Sequence, residues 1–91
     1  MIDLQDARIQ RAELDEQTGI VTIEVILDSK ERVSLMFEGV RPSPHIAAML
    51  KLGGTILDWK PSAGPGNTHI YLMDGVITLH AQRLSLQMWK C

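Results

Sequence analysis

Apolar and polar residues alternate most regularly over Ile20–Val40. Val21, Ile23, Val25 and Leu27 share one parity, and so do Val33, Leu35 and Phe37. Successive side chains of a strand point to opposite faces, so a period of two lines each set along one side of a sheet. Ile20, Ile26 and Met36 add apolar surface to the other side. A strand apolar on both faces is expected to be central and covered from both sides. Strands are therefore predicted at Ile20–Leu27 and Arg32–Glu38. Pairing Val25 with Val33 and Ile23 with Leu35 leaves Asp28-Ser29-Lys30 as the turn; pairing Leu27 with Val33 around a longer loop is the alternative.

A weaker strand pattern covers Asp6–Leu14, joined to the next strand through Asp15–Gly19. There Asp15 can accept backbone N–H groups and Gly19 can take a positive φ. Beyond Gly39 the period changes. Ser43 is a good helix N-cap and Pro44 suits the first helical position. Ile46, Met49 and Leu50 form an i, i+3, i+4 stripe, and Gly53-Gly54 is a stop signal. One short helix is predicted over Pro44–Leu52. It is too short to persist alone in water, so its stripe must pack on the sheet.

Thr55–Lys60 reads as a fourth strand with Leu57 and Trp59 on one face. After the loop Pro61–Asn67, the runs Thr68–Met73 and Val76–Gln82 flank Asp74-Gly75, a type I′ hairpin signal. That turn sets Met73 opposite Val76, Tyr71 opposite Thr78 and His69 opposite His80. Apolar parity then switches, from Ile77, Leu79 and Ala81 to Leu84, Leu86 and Met88. A bulge or break near Gln82-Arg83 would restore one buried face; without it the last segment crosses to another surface. The expected fold is a single α+β domain over residues 1–91. Its antiparallel sheet has five or six strands, a meander or a curled half-barrel, with the helix between strands 3 and 4.

Composition sharpens this picture in three ways. The chain has 91 residues, 45% of them apolar. A chain of that size buries only roughly 60–65% of its unfolded surface, so oligomerisation is a natural supplement to its core. Charge is uneven. Met1–His45 carries five basic and nine acidic residues, whereas Ile46–Cys91 carries four and two. A charge-poor half is interior or interface. The net charge of −2 marks no nucleic-acid face. MIDLQDAR lacks the basic start and apolar run of a signal peptide, and no apolar stretch approaches a membrane span. The lone Cys91 can form no internal bridge. A cytoplasmic, reducing setting is expected, with no membrane or nucleic-acid partner and no cofactor.

Candidate chemistry is sparse. An opposed His69 and His80 could share a zinc ion completed by Asp58 or water, or repel when both are protonated. Against this stands the simpler reading of two histidines decorating a sheet face, and no metal site is assigned. His45, Ser43 and Cys91 make no convincing nucleophile–base set; Ser43 is better used as a cap. Gly64-Pro65-Gly66-Asn67 is followed by a strand pattern rather than the helix a phosphate loop requires. The acidic residues are scattered, so no enzyme is expected.

Large apolar side chains are more telling. Trp89 and Met88, with Tyr71, Met73 and Val76, offer more surface than one short helix can hide. They are the expected interface of a homodimer, the commonest closed assembly. The alternative is a small-ligand module whose apolar pocket, between sheet and helix, is lined by Trp59, Met49 and Phe37. The order of a hairpin, V-x-L-x-F-x-G-V at Val33–Val40, a short connection, G-x-x-L-D at Gly54–Asp58 and a final hairpin resembles small β-rich bacterial accessory domains. These include some immunity proteins of toxin systems. The resemblance implies a protein that works by binding another protein and transfers no site residues.

Overall fold

The computed structural model describes residues 3–89, excepting the side chain of Trp89. Seven strands and one helix follow in order: β1 Arg8–Asp15, β2 Ile20–Ile26, β3 Arg32–Glu38, α1 Pro44–Met49, β4 Gly54–Lys60, β5 Gly66–Leu72, β6 Gly75–Ala81 and β7 Arg83–Trp89. All pairings are antiparallel. The strand order is β6-β5-β4-β1-β2-β3-β7. The antiparallel α+β class and the helix between strands 3 and 4 are as expected. The count is seven rather than five or six, because the final apolar run divides at Gln82 into two strands with different neighbours.

That division also sets the shape. β6 and β7 stand at opposite ends of the strand order, yet only Gln82 separates them in the chain. Both run in the same direction, since every pairing between them is antiparallel. They are thus two arms of one bent strand, and the sheet must curl until its ends meet. The Gln82 N–H donates to the Glu38 carbonyl at 2.8 Å, and the Leu84 N–H to the Ala63 carbonyl at 3.3 Å. Glu38 and Arg83, opposite each other in the β3–β7 ladder, form an ion pair at 2.6 Å.

Two bulges promote the curl. Gln10 is the extra residue in β1, between Ile9 opposite Val25 and Arg11 opposite Glu24. Leu57 is the extra residue in β4, between Ile56 opposite Leu72 and Asp58 opposite Tyr71. A bulge bends its strand and increases local twist. Leu57 and Trp59 consequently do not share a face: Leu57 is exposed, whereas Ile56 and Trp59 both point inward.

The concave side holds one core. Val21, Ile23 and Val25 of β2 face Phe37, Leu35 and Val33 of β3, and all six are fully buried. Ile56, Trp59, Ile70, Leu72, Ile77, Leu79 and Ala81 complete it from β4, β5 and β6, and Leu4 and Ala7 from the segment before β1. The β2–β3 register is the predicted one, closed by the Leu27 N–H to the Glu31 carbonyl at 2.8 Å. β2 is internal in the sheet but buried fully on one side only. Ile20, Thr22, Glu24 and Ile26 on its convex side are half-buried. Among the described residues the expected second layer does not cover that side, because the helix packs elsewhere.

The helix fills a gap in the wall. β1 and β4 pair only at Arg8–Thr55 and Ile9–Gly54, so the far half of β1 parts from β4. α1 lies by that opening, and Ile46, Met49, Leu50 and Leu52 pack against the core. Ser43 caps it as predicted, its hydroxyl accepting from the Ile46 N–H at 3.2 Å. The helix is shorter than predicted. Leu50 is its C-cap, and the chain continues to Leu52 through tighter turns, with the Lys51 and Leu52 N–H groups reaching Ala48 and Met49 carbonyls.

The Glu38–Arg83 pair gives the closure a pH dependence. Hydrogen bonding and charge from Arg83 hold the Glu38 carboxyl below its ordinary value of 4.5. A carboxylate lowered by folding contributes stability above its unfolded pKa and loses it as pH falls through the lower folded value. Both side chains are solvent-accessible, which keeps the effect small. Replacing Glu38 with Gln is expected to lower the melting temperature slightly at neutral pH and to let the two profiles converge in acid, so that the variant's acid limb is flatter. Thermal melts between pH 2 and 7 check this; parallel acid limbs for the two proteins would contradict it.

Candidate functional site

The structure separates the residues expected to form one interface. Tyr71 and Val76 are cross-strand partners on the convex side of the β5–β6 hairpin, and Met73 projects from its tip, 81% exposed. Leu57 stands in the same row, because the bulge sets Leu57 and Asp58 against Tyr71. Lys60 lies 6.0 Å from the centre of the Tyr71 ring, and the His69 ring centre is 6.3 Å away. This patch is apolar in its middle and polar along its border.

Met88 belongs to a different surface, on the other arm of the bent strand. In the β3–β7 ladder Leu84 opposes Phe37, Leu86 opposes Leu35 and Met88 opposes Val33. Opposed residues share a face, so these three continue the core row. Their partners on β3 are fully buried, yet Leu86 is 38% and Met88 48% exposed. The break at Gln82 has restored the buried parity, as one of the two expected outcomes required, but the row runs past what the fold covers. Trp89 pairs with Arg32 through its backbone. Its side chain lies outside the described residues, as does Cys91.

The histidine pair is not opposed. The β5–β6 register places His69 opposite Thr78 and His80 opposite Asn67, two positions from the predicted pairing. The turn residues are Met73 and Asp74, and neither has the positive φ of a type I′ turn. A displacement of two keeps every side chain on its face, so alternation does not discriminate between the registers. Gly75 lies close to Leu52: a Cβ there would meet the Leu52 side chain at 3.0 Å. His69 Nδ1 lies 3.0 Å from Thr78 Oγ1, and His80 Nδ1 lies 2.8 Å from Asn67 Oδ1. Each imidazole is engaged by its own cross-strand neighbour. Among the described residues no three His, Cys, Asp or Glu side chains gather as a metal site would require.

The pocket residues are also dispersed. Phe37 and Trp59 are inside the core, and Met49, the last residue of α1, is half-buried. A groove of about 300 Å³ does run between helix and sheet, but Ala12, Leu14, Ala47 and Leu50 line it, with Glu16 and Lys51. His45 is exposed in the first helical turn. No helix among the described residues is long and apolar enough to cross a membrane. Comparisons with protein-family models, curated proteins and solved structures find no match to this chain.

The β7 surface combines two properties. It is apolar, and it lies on a strand with a neighbour on one side only. An edge strand presents unpaired N–H and C=O groups, and folded proteins usually protect such edges with charge, proline or a bulge. Between Leu84 and Trp89 the sequence LSLQMW contains neither charge nor proline.

Proposed function

We propose that this protein is a non-enzymatic binding protein that acts through protein–protein contact as a homodimer, with β7 at the contact. The observation that carries this reading is the row Leu84, Leu86 and Met88. It shares the face of the core, sits on the sheet's terminal strand and remains partly open to water. A second copy suits it because the stretch from Leu84 to Trp89 is uncharged, so two copies meet without like charges opposed. The small size of the chain favours the same solution, since a dimer adds buried apolar area that 91 residues cannot supply alone.

Light scattering over a concentration series tests the proposal. The expected mass is twice the 10.2 kDa of one chain. Leu86→Glu is expected to weaken the dimer about a hundredfold, because it places a charge in the apolar contact. It should leave the monomer folded, since Leu86 is already open to water in one copy. A wild-type mass of one chain at every concentration would overturn the reading.

A further inference from the structure

We infer that two copies join by antiparallel pairing of their β7 edges about a two-fold axis at Gln87, making one continuous sheet. This rests on the homodimer reading and specifies its geometry. The direction of the backbone groups is the starting point. In an antiparallel ladder the N–H and C=O of one residue point to the same side, and successive residues alternate. The Leu84 N–H reaches Ala63, away from β3. The N–H and C=O groups of Leu86 and Met88 therefore point the same way, to the free edge, while those of Ser85, Gln87 and Trp89 point to β3.

The free edge thus presents two donors and two acceptors, on Leu86 and Met88. Leu84 is excluded because its N–H is already engaged. Under a two-fold axis these groups complement themselves when Leu86 pairs with Met88 of the second copy and Met88 with Leu86. The register brings Gln87 opposite its own counterpart. It also sets Leu86 beside the other copy's Met88 on the apolar face, so the two open rows become one. Strand addition of this kind takes affinity from main-chain hydrogen bonds and specificity from alternate side chains.

Cross-linking reads the register directly. In a Cys91→Ser background, Gln87→Cys places two thiols at a non-hydrogen-bonded pair. Cα atoms there are about 4.5 Å apart, within disulfide range. Ser85→Cys is the control, because its two copies are four residues out of register, about 13 Å apart. Gln87→Cys is expected to cross-link under mild oxidation and Ser85→Cys is not. Met88→Pro removes a donor from the free edge but none from the β3 ladder, and proline is tolerated at such edge positions. It is expected to weaken the dimer about thirtyfold, two hydrogen bonds being lost by symmetry.

A solution dimer that cross-links through position 85 instead of 87, or one indifferent to Met88→Pro, would overturn the edge pairing and leave the homodimer intact. A monomer by light scattering would overturn both. Should Met88→Pro fail to fold, the contrast between positions 87 and 85 still decides.

Discussion

Phe37→Ala is expected to lower the free energy of unfolding by about 3–5 kcal/mol. Phe37 is the largest of the fully buried side chains. It opposes Val21 on one side and Leu84 on the other, where β3 joins the interior of the sheet to its last strand. Its removal leaves a cavity where the ladder is tied to the Gln82 closure, with bent backbone nearby that cannot readily collapse to fill it. A domain of this size has a total stability of only about 5–10 kcal/mol, so the variant should be near its folding threshold. Urea denaturation followed by circular dichroism measures the loss. A change below about 1 kcal/mol would show that the core is looser than its burial implies.

Gly64→Ala should be almost as damaging, for a different reason. Gly64 has φ +103, a conformation that side chains with a Cβ rarely adopt. A methyl group there would run into the Gln82 backbone carbonyl. Backbone, unlike a flexible side-chain tip, cannot swing aside. Left-handed strain and overpacking together predict a loss of roughly 2–5 kcal/mol. Gly53→Ala is the matched control, since a Cβ at Gly53 meets nothing within 4 Å. Equal melting temperatures for the two variants would show that the 61–65 loop does not brace the closure.

The sequence was most legible where local pattern and long-range pairing agree. The β2–β3 hairpin follows from parity alone because a slip of one residue would turn Ile23 and Val25 outward. The β5–β6 register is not fixed in this way because a slip of two turns nothing outward; Asp74-Gly75 points to a turn one position late. The curl has a sequence signature. Inward apolar residues step by three instead of two at Ile9–Ala12, Ile56–Trp59 and Ala81–Leu84. Each step marks a bulge or break. The parity switch at Ala81–Leu84 reads directly as a break, whereas plain alternation sets Leu57 on one face with Trp59 and hides the bulge there.

The candidate site was legible in part. Met88 was named from its greasy surroundings, yet nothing in the alternation tells whether a row that belongs to the core is finally covered. That depends on how far neighbouring elements reach. It also depends on which strand is left at the edge, which strand order decides and local pattern does not. The same limit placed Tyr71, Met73 and Val76 in one interface with Met88, although the bend at Gln82 sends them to separate arms.

The shared strand has a consequence for how the chain is made. A ribosome delivers β1, β2 and β3 first, but the lane beside β3 stays vacant until Arg83–Trp89 has left the exit tunnel. One stretch of peptide supplies first the partner of β5 and then the partner of β3, so the β4–β5–β6 half of the wall can be finished while the lane beside β3 is still empty. Ribosome-bound fragments stopped before Gln82 should stay open to proteases along β3, and protection should arrive in a single step once the last seven-residue strand emerges.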